Sequence, residues 1–251
     1  MAKVVIDAGH GGYDGGAAYN GRLEKDDNLA LALEVGSILQ NRGVDVVYTR
    51  TEDIYQTPAE KARIANASDA DYFLSIHRNS SVIPNQYSGV QSLIFNEGGT
   101  KEEIGEEIND NLEELGFPDL GISIRPNLTV LRRTQMPAIL VEAGFINNDR
   151  DNQIFDERFE EMARGIADGI LSEIEEDPDT PVYRVQTGLY SRYSNATAQA
   201  ERLQQMGLSA EIITLGGLYA VVSGSFSTLR EANQYADTLR SSGYDTAIIQ
   251  L

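Results

Sequence analysis

The chain has 251 residues, 41% hydrophobic and 24% charged, and no cysteine. It is long enough to bury a core without covalent staples, and the missing thiols exclude disulfide scaffolds, Cys-ligated zinc sites and thiol nucleophiles. Its net charge of −19, 20 basic against 39 acidic residues, repels phosphate backbones and argues against nucleic-acid binding.

Residues 3–6 read as an apolar strand and residues 29–39 as a periodic helix stopped at Asn41-Arg42-Gly43. Residues 44–49 form a second strand, 58–67 a helix opened by proline, and 72–76 a third strand. A strand at 89–95 precedes an acidic amphipathic helix at 100–115, whose acid run from Glu102 to Glu114 reads as a solvated face. Residues 128–131 read as short and extended, 137–141 as a buried strand and 151–174 as one long closing helix. This alternation predicts an α/β fold: a central, mostly parallel sheet with helices on both faces. No apolar run reaches the roughly 18 residues of a membrane span. MAKVVIDAGH at the start leads to the expectation of no signal peptide and of synthesis in the cytoplasm.

The end of the chain repeats itself. The segment at 183–215 aligns without gaps on 219–251, pairing Tyr183 with Tyr219, Gly188 with Gly224, Ala196 with Ala232 and Leu203 with Leu239. Each copy reads as strand, helix and strand, so the pair predicts a small α+β domain of βαββαβ, ferredoxin-like order. Tyr183, Tyr190, Tyr193 and Tyr219 suit either a sugar-stacking surface or core packing. The acidic, proline-containing stretch 177–182 reads as a linker between a domain at 1–176 and one at 183–251. Charge divides the same way: residues 1–182 hold 15 basic and 34 acidic side chains, residues 183–251 five of each.

Only two histidines occur, His10 and His77, and each follows an apolar strand. Parallel strands bring both to one sheet edge, where chemistry gathers in such folds. A single histidine is more often structural than a ligand, but two at equivalent places, one beside a Gly-Gly turn, suit a zinc site. A third ligand must be His, Asp or Glu. Glu24, at the mouth of the first helix, leads the candidates, and its simpler reading is a first-turn helix acid. Glu142 follows the apolar strand at 137–141. A carboxylate there needs a partner: a water whose proton it accepts, or an ion pair with Arg132 or Arg133.

IDAGHGGYDGGA (6–17), LEKDDNLALAL with Glu24, SIHRNS (75–80) and VEAGFINN (141–148) together resemble the zinc-dependent N-acetylmuramoyl-L-alanine amidases of the Amidase_3 family. The resemblance implies one Zn²⁺ held by His10, Glu24 and His77, Glu142 as catalytic acid/base, and peptidoglycan as substrate. YRVQTGLY and YAVVSGSF look like openings of SPOR-type cell-wall-binding repeats, with Tyr190 and Val222 departing from that family's usual Phe and Gln. The layout is similar to mother-cell lysis amidases of spore formers and to phage endolysins, which act on the wall after release or lysis. The competing readings are a peptide-cleaving zinc endopeptidase and a non-catalytic wall-binding protein.

Overall fold

The structure, a computed structural model, describes residues 2–174, 183–226 and 229–250. The chain divides into two compact units, Met1–Glu176 and Asp177–Leu251. The expected linker at 177–182 lies outside the described residues.

In chain order the first unit contains β1 (Lys3–Ala8), β2 (Ala18–Tyr19), β3 (Arg22–Leu23), α1 (Glu24–Asn41), β4 (Asp45–Tyr48), α2 (Pro58–Asn66) and β5 (Tyr72–Asn79). It continues with β6 (Val90–Ile94), α3 (Thr100–Glu113), β7 (Asp119–Ile124), α4 (Thr129–Arg133), β8 (Ala138–Phe145), α5 (Asp149–Glu157) and α6 (Phe159–Leu171). Six strands make one mixed sheet in the order β4-β1-β5-β8-β6-β7. The first four are mutually parallel, and β6 meets β8 antiparallel before pairing parallel with β7. Strand alternation splits the core into two layers. Val4, Ile6, Leu74, Ile76, Ile139 and Val141 pack with apolar residues of α1, α3 and α6 on one face. Val5, Phe73, Leu93 and Leu140 pack with Ala65 of α2 and with Val130 and Leu131 of α4 on the other.

Several expectations are corrected. Residues 128–131 are not extended: Thr129–Arg133 is a helical turn that buries Val130 and Leu131. So short an apolar run carries no period able to separate helix from strand. The closing segment is two helices rather than one. Arg158, with φ −124° and ψ 30°, ends α5 and begins α6, and the turn lets Phe155 and Phe159 meet edge to face, centroids 5.5 Å apart. Helix α1 starts at Glu24, five residues before its apolar period becomes visible, because the buried residues of its first turns, Glu24 and Asn28, are polar. Strands β5 and β8 each run past the end of their apolar stretch, so His77 and Glu142 lie inside strands, not after them.

The second unit is β9 (Tyr183–Tyr190), α7 (Tyr193–Gln205), β10 (Glu211–Leu215), β11 (Leu218–Phe226), α8 (Leu229–Ser241) and β12 (Ala247–Gln250). Its four strands form an antiparallel sheet in the order β10-β11-β9-β12. Ala196, Ala200 and Leu203 of α7 share one core with Ala232, Ala236 and Leu239 of α8, so both helices cover the same sheet face. Tyr183, Tyr190 and Tyr219 pack against that core, whereas Tyr193 is exposed.

Candidate metal centre

Because β1, β5 and β8 are parallel neighbours, their carboxyl ends lie side by side. His10 leaves β1 in the left-handed backbone region, φ 60°, a conformation costly for a non-glycine residue and typical of functional turns. Two glycines make room for the cluster. A Cβ on Gly9 would stand 2.4 Å from the His77 ring, and one on Gly16, φ 66°, would stand 2.6 Å from Glu24 Oε2 and 2.7 Å from His10 Cδ2. Glu24 is fixed at the start of α1 by its own N–H, which donates to Ala17 O at 2.9 Å. Its Oε2 accepts from Ala17 N at 2.9 Å.

The structure brings His10, Glu24 and His77 together, with one potential ligand atom from each lying within 4.8 Å of the others. Glu24 Oε1 sits 3.1 Å from His10 Nε2 and 3.0 Å from His77 Nδ1. The two imidazoles stand edge to face, centroids 5.0 Å apart. Burial works against charge on both Glu24 and His10, but their mutual attraction wins. Glu24 is held well below the ordinary carboxylate range by the two histidines, and His10 is pushed up to about 9 by Glu24 and Asp14. Two imidazole nitrogens and a carboxylate oxygen so disposed are a donor set that a divalent cation of zinc's preferences can share.

Glu142 sits opposite His77 in the β5–β8 register. Its Oε2 is buried with no hydrogen-bond partner among the described residues, and burial raises its pKa. The alternative partners, Arg132 and Arg133, do not pair with it. They sit on α4, and Glu142 makes no ion pair among the described residues.

Four supporting residues were not singled out from the sequence. Asp14 Oδ2 accepts from His10 Nδ1 at 2.9 Å, which turns Nε2 toward Glu24. Lys61 Nζ donates to Ala8 O at 2.6 Å and pairs with buried Asp7 at 2.7 Å. Arg50 donates from Nε to Ala8 O at 3.1 Å and from Nη2 to Gly9 O at 3.0 Å. Two buried cations thus clamp the carbonyls immediately before His10. The one available signal was Asp14, four residues from His10 in a glycine-rich turn; Asp7, Lys61 and Arg50 carry none.

The family model described as N-acetylmuramoyl-L-alanine amidase, Amidase_3, matches residues 4–172. The chain belongs to this amidase family. A SPOR domain model matches residues 179–250. The sporulation-specific N-acetylmuramoyl-L-alanine amidase of Bacillus subtilis (strain 168) is 33% identical over 221 residues, covering 85% of each chain. The endolysin of Bacillus phage SPP1 is 37% identical over 178 residues, 68% of this chain and 65% of that one. The N-acetylmuramoyl-L-alanine amidase of Clostridium difficile 630 superimposes with a TM-score of 0.65 at 33% identity, over 70% of this chain and 98% of that one. The amidase fold therefore occupies the first unit, and the wall-binding SPOR domain the second. No helix among the described residues is long and apolar enough to cross a membrane.

Proposed function

We propose that the amidase holds one zinc ion on His10, Glu24 and His77 and uses Glu142 as general base and acid on the amide joining the lactyl group of N-acetylmuramic acid to L-alanine. The observation that carries this reading is the convergence of three ligand atoms within 4.8 Å beside a buried carboxylate with a vacant hydrogen-bonding oxygen. Zinc, when bound, supplies Lewis acidity that polarises the carbonyl and acidifies a water. The remaining steps belong to the chain. Glu142 Oε2, without a hydrogen-bond partner among the described residues and raised in pKa by burial, takes the proton of the attacking water. The same atom then hands that proton to the departing alanine nitrogen, so the amine leaves neutral. Asp14 fixes the His10 ring, as carboxylates behind metal-ligating histidines do.

In this reading residues 1–176 are the catalytic domain, 177–182 a linker, and 183–251 a pair of repeats that hold the enzyme on peptidoglycan. Metal analysis combined with mass spectrometry of digested peptidoglycan tests it. One zinc per chain and new L-alanine N-termini with free muramic lactyl carboxylates are expected. Products cut only within the stem peptide would show an endopeptidase instead, and unaltered walls a binding protein.

A further inference from the structure

Tyr13 and Tyr55 stack on one another with centroids 4.2 Å apart and planes 30° from parallel. Tyr13 is nevertheless 83% exposed and Tyr55 37% exposed. A stacked pair left exposed in the turn beside the candidate centre offers a flat aromatic face to a ligand. Its position indicates which. Tyr13 lies between Gly11 and Asp14, which bridge to each other across the turn, and Asp14 bonds the His10 ring. Tyr55 belongs to the loop after β4, the strand beside β1. Across the sheet edge the order is therefore the tyrosine pair, His10, His77 and Glu142. Tyr13 is three residues beyond His10 in the turn after β1, and Tyr55 follows β4, which flanks β1 on the side away from β5 and β8.

The two loops are also fixed in advance. Gly12 N donates to Asp53 Oδ1 at 2.7 Å, while Lys25 Nζ joins Asp53 Oδ2 at 2.6 Å and Gly12 O at 2.9 Å. Beyond Tyr55, Thr57 closes a capping box with Glu60 at the start of α2. A rigid aromatic face loses little freedom when something settles on it.

We propose that this pair is the subsite for the pyranose ring of the muramyl sugar, stacking the ring's C–H face on Tyr13 with Tyr55 as backing. The inference rests on the amidase reading of the metal centre and adds to it a direction: sugar over β1 and β4, peptide toward β8 and Glu142. The chemistry fits, since the negative face of an aromatic ring attracts the weakly positive C–H edge of a sugar. The lactyl group that carries the scissile carbonyl is attached directly to that sugar, which matches the short step from the pair to His10.

The test compares two soluble substrates in the full chain: a disaccharide carrying the lactyl-L-alanyl peptide, and a D-lactoyl-L-alanyl peptide of the same sequence without sugar. For the native chain the first should have the lower KM. Tyr13→Ala should shrink that preference by roughly three- to tenfold, the worth of one aromatic stacking contact, through KM rather than kcat. Tyr13→Trp should keep it. As a readout independent of turnover, the peptide-free disaccharide titrated into metal-free chain should show weaker NMR broadening of its ring protons with Tyr13→Ala than with the native chain. The proposal is overturned if Tyr13→Ala leaves the preference intact, or if it lowers kcat equally on both substrates. Should Tyr13→Ala lower the thermal midpoint, Tyr13→Ser and Tyr13→Trp decide by the same ratio. A native chain that cuts neither substrate would instead sink the amidase reading.

Discussion

Replacing Lys61 by methionine tests whether the floor of the site is held by a buried ion pair. Lys61 Nζ lies 2.7 Å from Asp7 Oδ1, and the two side chains are 4% and 1% exposed. Asp7 also accepts from Thr49 Oγ1 at 2.6 Å and Ser75 Oγ at 2.7 Å. Burial pushes the Asp7 carboxyl up, yet Lys61 and these hydroxyls together hold it below its ordinary value. Methionine keeps most of the stem's volume but leaves the buried Asp7 carboxylate with its two hydroxyl hydrogen bonds, the more distant Arg50 charge and no ion-pair partner in contact. Breaking a buried pair from one side costs about 3–5 kcal/mol. For a unit of this size that corresponds to a fall of roughly 6–20 °C in the midpoint of the first unit's transition. The double variant Asp7→Asn/Lys61→Met should recover most of it. The sign with pH follows from linkage. In the native chain the folded pKa of Asp7 is lowered, so its stabilisation is complete above the unfolded value of about 4 and is lost as pH falls through the folded value. Without Lys61 burial raises the folded pKa, and the penalty accumulates as pH rises above about 4. Calorimetry at pH 7 and pH 4 should therefore show the gap between native chain and variant narrowing in acid. A drop of under about 2 °C at pH 7, where even 3 kcal/mol should move the midpoint further, or a gap that widens on acidification, would refute the argument.

Glu142→Gln preserves shape but removes the proton acceptor, so turnover should fall by about 10²- to 10⁴-fold while zinc content, measured by atomic emission, stays at the native level. Asp14→Asn should weaken zinc affinity by roughly 10- to 100-fold in a chelator competition, with the fold unchanged by circular dichroism. Deleting residues 183–251 should spare hydrolysis of soluble fragments and weaken sedimentation with purified walls; undiminished sedimentation would reassign wall binding to the first unit.

The parts of this molecule legible in the sequence are those in which chemistry interrupts a hydrophobic pattern. His10, His77 and Glu142 each break an apolar strand, and four ordered motifs tie them to Glu24. The repeat at 183–251 exposed the second unit's order in the same way. What stayed hidden is polar material doing structural work. Lys61 sits in PAEKARIAN and looks like any solvated helix lysine, because only the tertiary fold places Asp7 under it. Strand β7 was missed since most of its residues are half-buried or exposed and Gly121 interrupts it at φ 72°; an edge strand of that kind has no strong period. The break at Arg158 has no proline or glycine to announce it, and the packing of Phe155 on Phe159 appears only in space.

Two carboxylates share the candidate centre and are driven in opposite directions. Glu24 meets both histidines at about hydrogen-bond distance, and the partners outweigh its burial, keeping it charged. Glu142, opposite His77 in the register, has its Oε2 buried without a hydrogen-bond partner among the described residues, so burial prevails and its affinity for a proton rises. A ligand must remain anionic through a catalytic cycle, whereas a general base must accept a proton and release it again. Environments that separate two like groups in this manner mark which one binds and which one shuttles protons. The histidines and, more weakly, Arg125 pull Glu142 toward its charged form, and burial outweighs them. An arginine placed against Glu142 would hold it as a permanent anion and remove the shuttle while leaving every metal ligand in position.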